Sequence, residues 1–310
     1  MRAPAALFSA TAALLCVVLT AGCEAKVHGD PGSRPRSAPP VGGVLPAPGA
    51  PHVSEAAPGA PHVSDAAPDG LGSRMAQATS QAAEDGADIS VVVHDRITGR
   101  TTSNASTSAI ETASVAKLFI ADDLLYQAST GQTQLSPDDR QALDVMLESS
   151  DDDAGEAFWQ RGGGDAITTR VANRYGLDST GPGSDGRWWN TVTTAADLTR
   201  YYDMLLDGTG GLPVDRAAII IDDLSRSTPQ GDDGYPQRFG IPDGLYAEPV
   251  AVKQGWMCCV GPNWMHLSTG VIGPQHRYVM VIESQQPTDD STARDEITRA
   301  VKTMFPGGRV

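Results

Sequence analysis

Apolar and polar residues divide the chain into stretches of different periodicity. Residues 5–19 form a nearly continuous apolar run, too short to span a bilayer comfortably. Residues 24–69 carry almost no large apolar side chains and are rich in Pro, Ala, Gly and Ser. Within them Pro48-Gly49-Ala50-Pro51-His52-Val53-Ser54-Glu55 returns nearly unchanged as Pro58-Gly59-Ala60-Pro61-His62-Val63-Ser64-Asp65. A repeat this short and polar builds no core, so it reads as an extended, disordered tether. From residue 70 the pattern is that of a folded domain. A helix is expected over 70–83, a β-branched strand over 89–95, a turn at 97–100 and a return strand from Thr101. Helical periodicity follows over 115–127, 137–147, 154–160, 166–175, 195–206 and 216–224. Strands are expected at 250–253, 264–272 and 278–282, and a closing helix at 293–304.

This order predicts an α/β (α+β) domain. It places one five-stranded antiparallel sheet between terminal helices on one face and an all-helical insert on the other. The division is then 1–22 leader, 23–69 tether and 70–310 globular domain.

Composition adds the compartment. The 310 residues carry a formal net charge of −15, which argues against nucleic acid as a partner. Arg2 precedes the apolar run, and the run ends in Leu19-Thr20-Ala21-Gly22-Cys23. Small residues directly before a cysteine resemble the lipobox of bacterial lipoproteins. That resemblance implies cleavage before Cys23, lipidation of its thiol and anchoring at the outer, extracytoplasmic face of the cell membrane. Cys16 lies in the leader, so only Cys258 and Cys259 remain in the domain. Adjacent cysteines form no ordinary bridge; free thiols, a strained ring or an intermolecular link stay open. They precede Val260-Gly261-Pro262, read as a hairpin loop, and are expected at the edge of that loop with no contribution to a catalytic site. No ligand set for a metal and no cofactor motif is recognised, and the repeated His52 and His62 lack further ligands.

Candidate chemistry begins at Ser114-Val115-Ala116-Lys117. A spacing of three puts the Ser114 hydroxyl and the Lys117 amine on one helix face. Backbone N–H groups at a helix start suit a developing oxyanion, and burial beside a second cation would favour the neutral amine a base requires. Alone the motif is weak, since an N-cap serine and a solvated lysine give the same letters. Ser150-Asp151-Asp152 opens a helix about thirty residues later, and Lys253-Gln254-Gly255-Trp256 sits on a late strand.

Taken in order, these pieces resemble the Ser-x-x-Lys, Ser-Asp-Asn and Lys-Thr-Gly set of the class A β-lactamases and penicillin-binding proteins. The resemblance implies Ser114 as acyl-accepting nucleophile and Lys117 as its proton acceptor. Ser150 and Lys253 would relay the proton to the leaving nitrogen. The N–H groups of Ser114 and Trp256 would bind the oxyanion, and Lys253, Gln254, Gly255 and Asp152 would line the substrate site. Two departures oppose the usual chemistry. Asp152 replaces an asparagine, so it donates nothing to a substrate carbonyl and holds Lys117 charged. No glutamate occurs between Glu156 and Glu248 to activate a deacylating water, and Asp185 is a short substitute.

Three functions therefore compete. One is a serine acyl hydrolase acting on β-lactams or cell-wall peptides with impaired deacylation. Another is a weakly active envelope module binding peptidoglycan or a protein partner; the last is a lipid-anchored spacer. Trp188, Trp189, Trp256 and Trp264 read as core or hairpin packing, or as the lining of a peptidoglycan-facing groove. His94, His266 and His276 read as structural.

Overall fold

The computed structural model describes residues 70–310; the leader, Cys23 and the tether lie outside the described residues. The domain opens with α1 (Leu71–Glu84), β1 (Asp88–Asp95) and β2 (Arg100–Ser103). A short strand β3 (Ile110–Glu111) leads to a 3₁₀ turn, Ala113–Ala116, which runs directly into α2 (Lys117–Ser129). The helical insert continues with α3 (Pro137–Glu148), α4 (Asp152–Gly162) and α5 (Ala166–Tyr175). After β4 (Val192–Thr193) come α6 (Ala195–Asp207) and α7 (Val214–Ser225). A one-turn helix α8 (Ile241–Gly244) precedes β5 (Val250–Val260), β6 (Asn263–Ile272), β7 (Tyr278–Gln286) and the closing α9 (Asp290–Met304).

The sheet is antiparallel throughout, in the order β2-β1-β7-β6-β5. Its strands alternate at period two between two cores. Val279 and Val281 of β7 face the helical insert, whereas Met280 and Ile282 face α1 and α9. Val92 and its neighbours Val91 and Val93 divide the same way. A sheet covered on both faces reads as β-branched runs, which is why these strands stand out in the sequence. The expected architecture is the one observed.

Helix starts follow side-chain capping. At α3 the Ser136 hydroxyl accepts from the Asp139 N–H at 3.0 Å, and Asp139 accepts from the Ser136 N–H at 2.9 Å. Thr194 and Asp289 cap α6 and α9 in the same manner. The insert is fastened to α2 by ion pairs. Arg174 of α5 pairs with buried Asp122, and Arg170 grips Asp123 at 2.9 and 2.6 Å. Both carboxylates sit in the turns that follow Lys117, so they hold the helix that carries the candidate base.

The strands extend further than periodicity indicates. β5 runs to Val260 rather than Lys253, and β7 to Gln286 rather than Ile282. Polar Glu283, Ser284 and Gln286 interrupt the apolar signal, yet all three are buried in the ladder. The two-residue strands β3 and β4 are too short to leave a period. They pair through Ile110 with Thr193 and Glu111 with Val192, tying the approach to Ser114 to the far end of the insert.

Candidate active site

Three segments meet where β5, at the open edge of the sheet, passes the start of α2. The 3₁₀ turn carries Ser114, and Lys117 follows as the first residue of α2. Ser114 caps neither element; Thr112 precedes the 3₁₀ turn and Ala116 precedes α2, and neither side chain makes a capping bond. The turn is set by Ala113, a non-glycine residue at φ 44°. Ser150 stands in the left-handed region at φ 61°. Such conformations cost about 1–3 kcal/mol each and persist where the surroundings over-determine them. Asp151 then caps α4 by accepting from the Ala154 N–H at 2.7 Å, which turns Asp152 into the first helical residue.

The sequence-predicted pieces converge on one amine. Lys117 Nζ donates to Ser114 Oγ at 2.9 Å, to the Ser150 carbonyl at 2.8 Å and to Asp152 Oδ1 at 2.5 Å, with Ser150 Oγ at 3.3 Å. Lys253 Nζ donates to Ser150 Oγ at 2.8 Å. Lys117 also lies 4.6 Å from the centre of the Trp188 ring. Ser114, Lys117, Ser150 and Lys253 are all buried. Burial holds the Lys117 ammonium below its ordinary pKa, against the opposing pull of Asp152. Lys253 is driven down further, because it too is buried and faces the charge of Lys117 with no carboxylate in contact. The chain contains four lysines, and two of them are enclosed here. Given the choice, lysine rarely leaves the surface. That scarcity is a sequence signal the motif spacing did not use.

Gly255 explains the third motif's glycine sterically. A Cβ there would lie 2.5 Å from the Thr112 carbonyl oxygen and 3.3 Å from Ala113 Cβ. Only glycine lets β5 pass this close to the turn that carries Ser114. Gly255→Ala is expected to destabilise the domain by about 1–3 kcal/mol through overpacking, read as a lower thermal midpoint. An unchanged midpoint would show that strand and turn separate without cost.

Gln254 requires a correction. Neighbouring strand residues point to opposite faces, so with Lys253 turned toward Ser150, Gln254 turns away. Its buried amide donates to the carbonyls of Gln237 at 3.0 Å and Phe239 at 2.7 Å. It fastens the loop before α8 and does not line the cleft.

The cleft itself has a volume of about 680 Å³ and opens over Ser114, Asp152 and Trp256. Trp188 and Trp189 form one wall, edge to face at 5.0 Å, and Trp256 stands on another. Trp256 stacks on Tyr235 at 4.6 Å with the rings 8° from parallel. Trp264 is not part of the lining; it stacks near His266, a buried ring that meets the Tyr235 hydroxyl at 2.7 Å. His94 bonds Thr101 on the neighbouring strand. Three carboxylate residues border the cleft: Glu111, Asp152 and Asp233. Asp233, in the Gly231-Asp232-Asp233-Gly234 turn, has no periodic signature and escapes sequence reading. Asp185 is engaged elsewhere, accepting from Asn190 Nδ2 at 2.7 Å and from the Arg187 N–H at 3.2 Å. Glu156 accepts from Trp188 Nε1 at 3.2 Å and Gln160 Nε2 at 2.7 Å. Cys258 and Cys259 border the cleft as well.

Sheet, insert and motif placement define a β-lactamase/transpeptidase fold. A β-lactamase from Chitinophaga pinensis superposes with TM-score 0.62 at 14% identity, covering 75% of this chain and 98% of that one. PBP-A superposes with TM-score 0.62 at 16% identity, over 75% and 94% of the two chains. An ancestral class A β-lactamase gives 0.60 at 19% identity, over 76% and 98%. No protein-family model matches the chain. The proteins named "Putative lipoprotein LppW" of Mycobacterium tuberculosis and Mycobacterium bovis are 60% identical to it over 321 residues, covering 100% of each chain. The chain belongs to this LppW lipoprotein family.

Proposed function

We propose that the domain is a serine acyl hydrolase of β-lactamase-like type that takes β-lactams or cell-wall peptides and releases the acyl group slowly. The observation that carries this reading is the unbroken contact Ser114–Lys117–Ser150–Lys253 in a buried cluster. Two ammonium groups in one buried space repel, and Asp152 keeps the charge on Lys117. The resting proton arrangement is then a charged Lys117 and a neutral Lys253. A shift of one proton from Lys117 through Ser150 Oγ to Lys253 frees the Lys117 amine. Ser114 Oγ then attacks the substrate carbonyl carbon while its proton passes to Lys117. The tetrahedral intermediate collapses with cleavage of the C–N bond, and Ser150 passes a proton to the departing nitrogen. The N–H groups of Ser114 and Trp256 are assigned to the oxyanion.

Deacylation needs a base beside water. Asp185 is held within its own loop and Glu156 by Trp188, so the ester is expected to persist. Purified protein incubated with a fluorescent penicillin should therefore gain one penicillin mass on Ser114 and keep it. Rapid turnover without accumulation would refute slow deacylation, and an unmodified chain at high concentration would refute the acyl hydrolase. A second reading draws on the Asp152–Lys117 contact, which favours the charged amine: an envelope module that binds peptidoglycan or a protein partner with little chemistry.

The relatives' naming as lipoproteins supports an anchor at Cys23 on the outer membrane face. Cys23→Ser is expected to move the protein from the membrane fraction to the medium, or to leave the precursor uncut. Wild type recovered wholly in the soluble fraction would end the lipobox assignment.

A further inference from the structure

The two domain cysteines stand in a β-bulge on the cleft wall. β5 and β6 pair in register up to Met257 with Met265 and resume at Val260 with Asn263. Cys258 and Cys259 thus oppose the single residue Trp264, outside the ladder. Cys259 adopts φ 72°, a left-handed conformation rare for a residue with a side chain. Both cysteines are exposed as free thiols and both border the cleft. Two residues upstream, Trp256 forms part of that same wall.

We propose that Cys258 and Cys259 form a thiol modification site in the cleft that reacts with small-molecule disulfides and ends as a ring disulfide between the two neighbours. One thiolate attacks a sulfur of the incoming disulfide; its S–S bond breaks and the first thiolate leaves. The adjacent thiol, on losing its proton, attacks the cysteine sulfur of the mixed disulfide and expels the second. The pair loses two protons and two electrons, and the small disulfide is reduced to two thiols.

Geometry favours the intramolecular end point. A ring between neighbours strains the intervening peptide, and here that peptide lies in a bulge with no facing partners to preserve. The cleft admits a small disulfide, whereas a second protein chain would have to bring its own cysteine into a concavity. The strain also makes the ring readily reducible. Closing it changes the shape of the wall that Trp256 shares, so oxidation and cleft shape are linked. An extracytoplasmic position, as proposed above, exposes the pair to an oxidising milieu.

The test uses the full chain carrying Cys16→Ser and Cys23→Ser, so that the pair supplies its only thiols. Oxidised glutathione is added to the native protein and intact mass is followed. The expected product has lost two hydrogen masses and carries no adduct, and dithiothreitol restores it. Adding Cys258→Ser or Cys259→Ser should stop the reaction at one bound glutathione. Stable glutathione adducts on the intact pair, a disulfide-linked dimer, or no reaction while the urea-unfolded chain reacts would each overturn the proposal. No acylation is measured, so the outcome is independent of whether Ser114 is a nucleophile.

Discussion

Lys117→Ala is expected to slow acylation of Ser114 by a fluorescent penicillin about 10²–10⁴-fold, the usual worth of a positioned general base. Ser114→Ala should abolish the adduct outright. Asp152→Asn should act in the opposite direction. The Asp152 carboxylate contacts Lys117 Nζ at 2.5 Å, yet its side chain is 70% exposed. Solvent screening therefore limits its hold on the proton, and removing the charge should accelerate acylation. Asparagine also supplies a donor where the carboxylate had none. The rates are read from single-turnover labelling at several pH values. The diagnostic feature is the pH profile: Asp152→Asn should move its acid limb to lower pH, because Lys117 loses its proton more easily. A profile unmoved by Asp152→Asn, with labelling still abolished by Ser114→Ala, would place the base elsewhere. Lys253, already the more strongly depressed of the two amines, would then be the group to substitute.

Much of this site is legible in the sequence because chemistry and geometry share the same spacing. Ser114 and Lys117 lie three residues apart and meet at 2.9 Å, as one helical turn requires. Ser150 and Lys253 are found only through the order of motifs; nothing local to either says that they touch. Gln254 shows where a motif is followed further than strand geometry permits. Beside Lys253 in sequence, it belongs to the opposite face, and the period of two alone would have placed it there. The tryptophans divide otherwise. Trp188 both packs in the insert core and borders the cleft, so the choice between packing and groove was not a choice for that residue. Asp233 is illegible because a glycine-flanked turn carries no periodic pattern. The ends of β5 and β7 are missed for a physical reason: buried polar residues satisfy the ladder but break the apolar signal. Glu283 is the clearest of these, and it has thermodynamic consequences.

Glu283 lies on the insert side of β7, opposite Ser90 of β1 and Leu267 of β6, and is only 3% exposed. Its Oε1 has no hydrogen-bond partner among the described residues. Burial pushes its pKa up to about 8, with the charges of Asp88 and Glu111 adding to the rise. An unfolded glutamate titrates near 4.5. Between these values the folded chain keeps a proton that the unfolded chain has lost, so stability falls as pH rises from about 4.5 through 8. His266 has the opposite slope. Its burial lowers the ring's pKa to about 4, so its contribution is lost as pH falls from 6.5 through 4. At pH 6.5 the unfolded ring is still half protonated, so above that pH His266 adds only about 0.4 kcal/mol of opposing change and the fall set by Glu283 dominates. From pH 6.5 to 8 the wild-type domain is expected to lose about 2 kcal/mol through Glu283, at about 1.4 kcal/mol per pH unit. That corresponds to roughly 4–8 °C in thermal midpoint for a domain of this size. Glu283→Gln keeps the shape and removes the titration, so its midpoint should no longer fall over this range and should exceed that of wild type at pH 8. Urea unfolding at pH 6.5, 7.2 and 8 gives the same comparison as free energies. Parallel pH profiles for the two proteins would mean that Glu283 is already ionised in the folded state, with a cation or water partner meeting its unpaired oxygen.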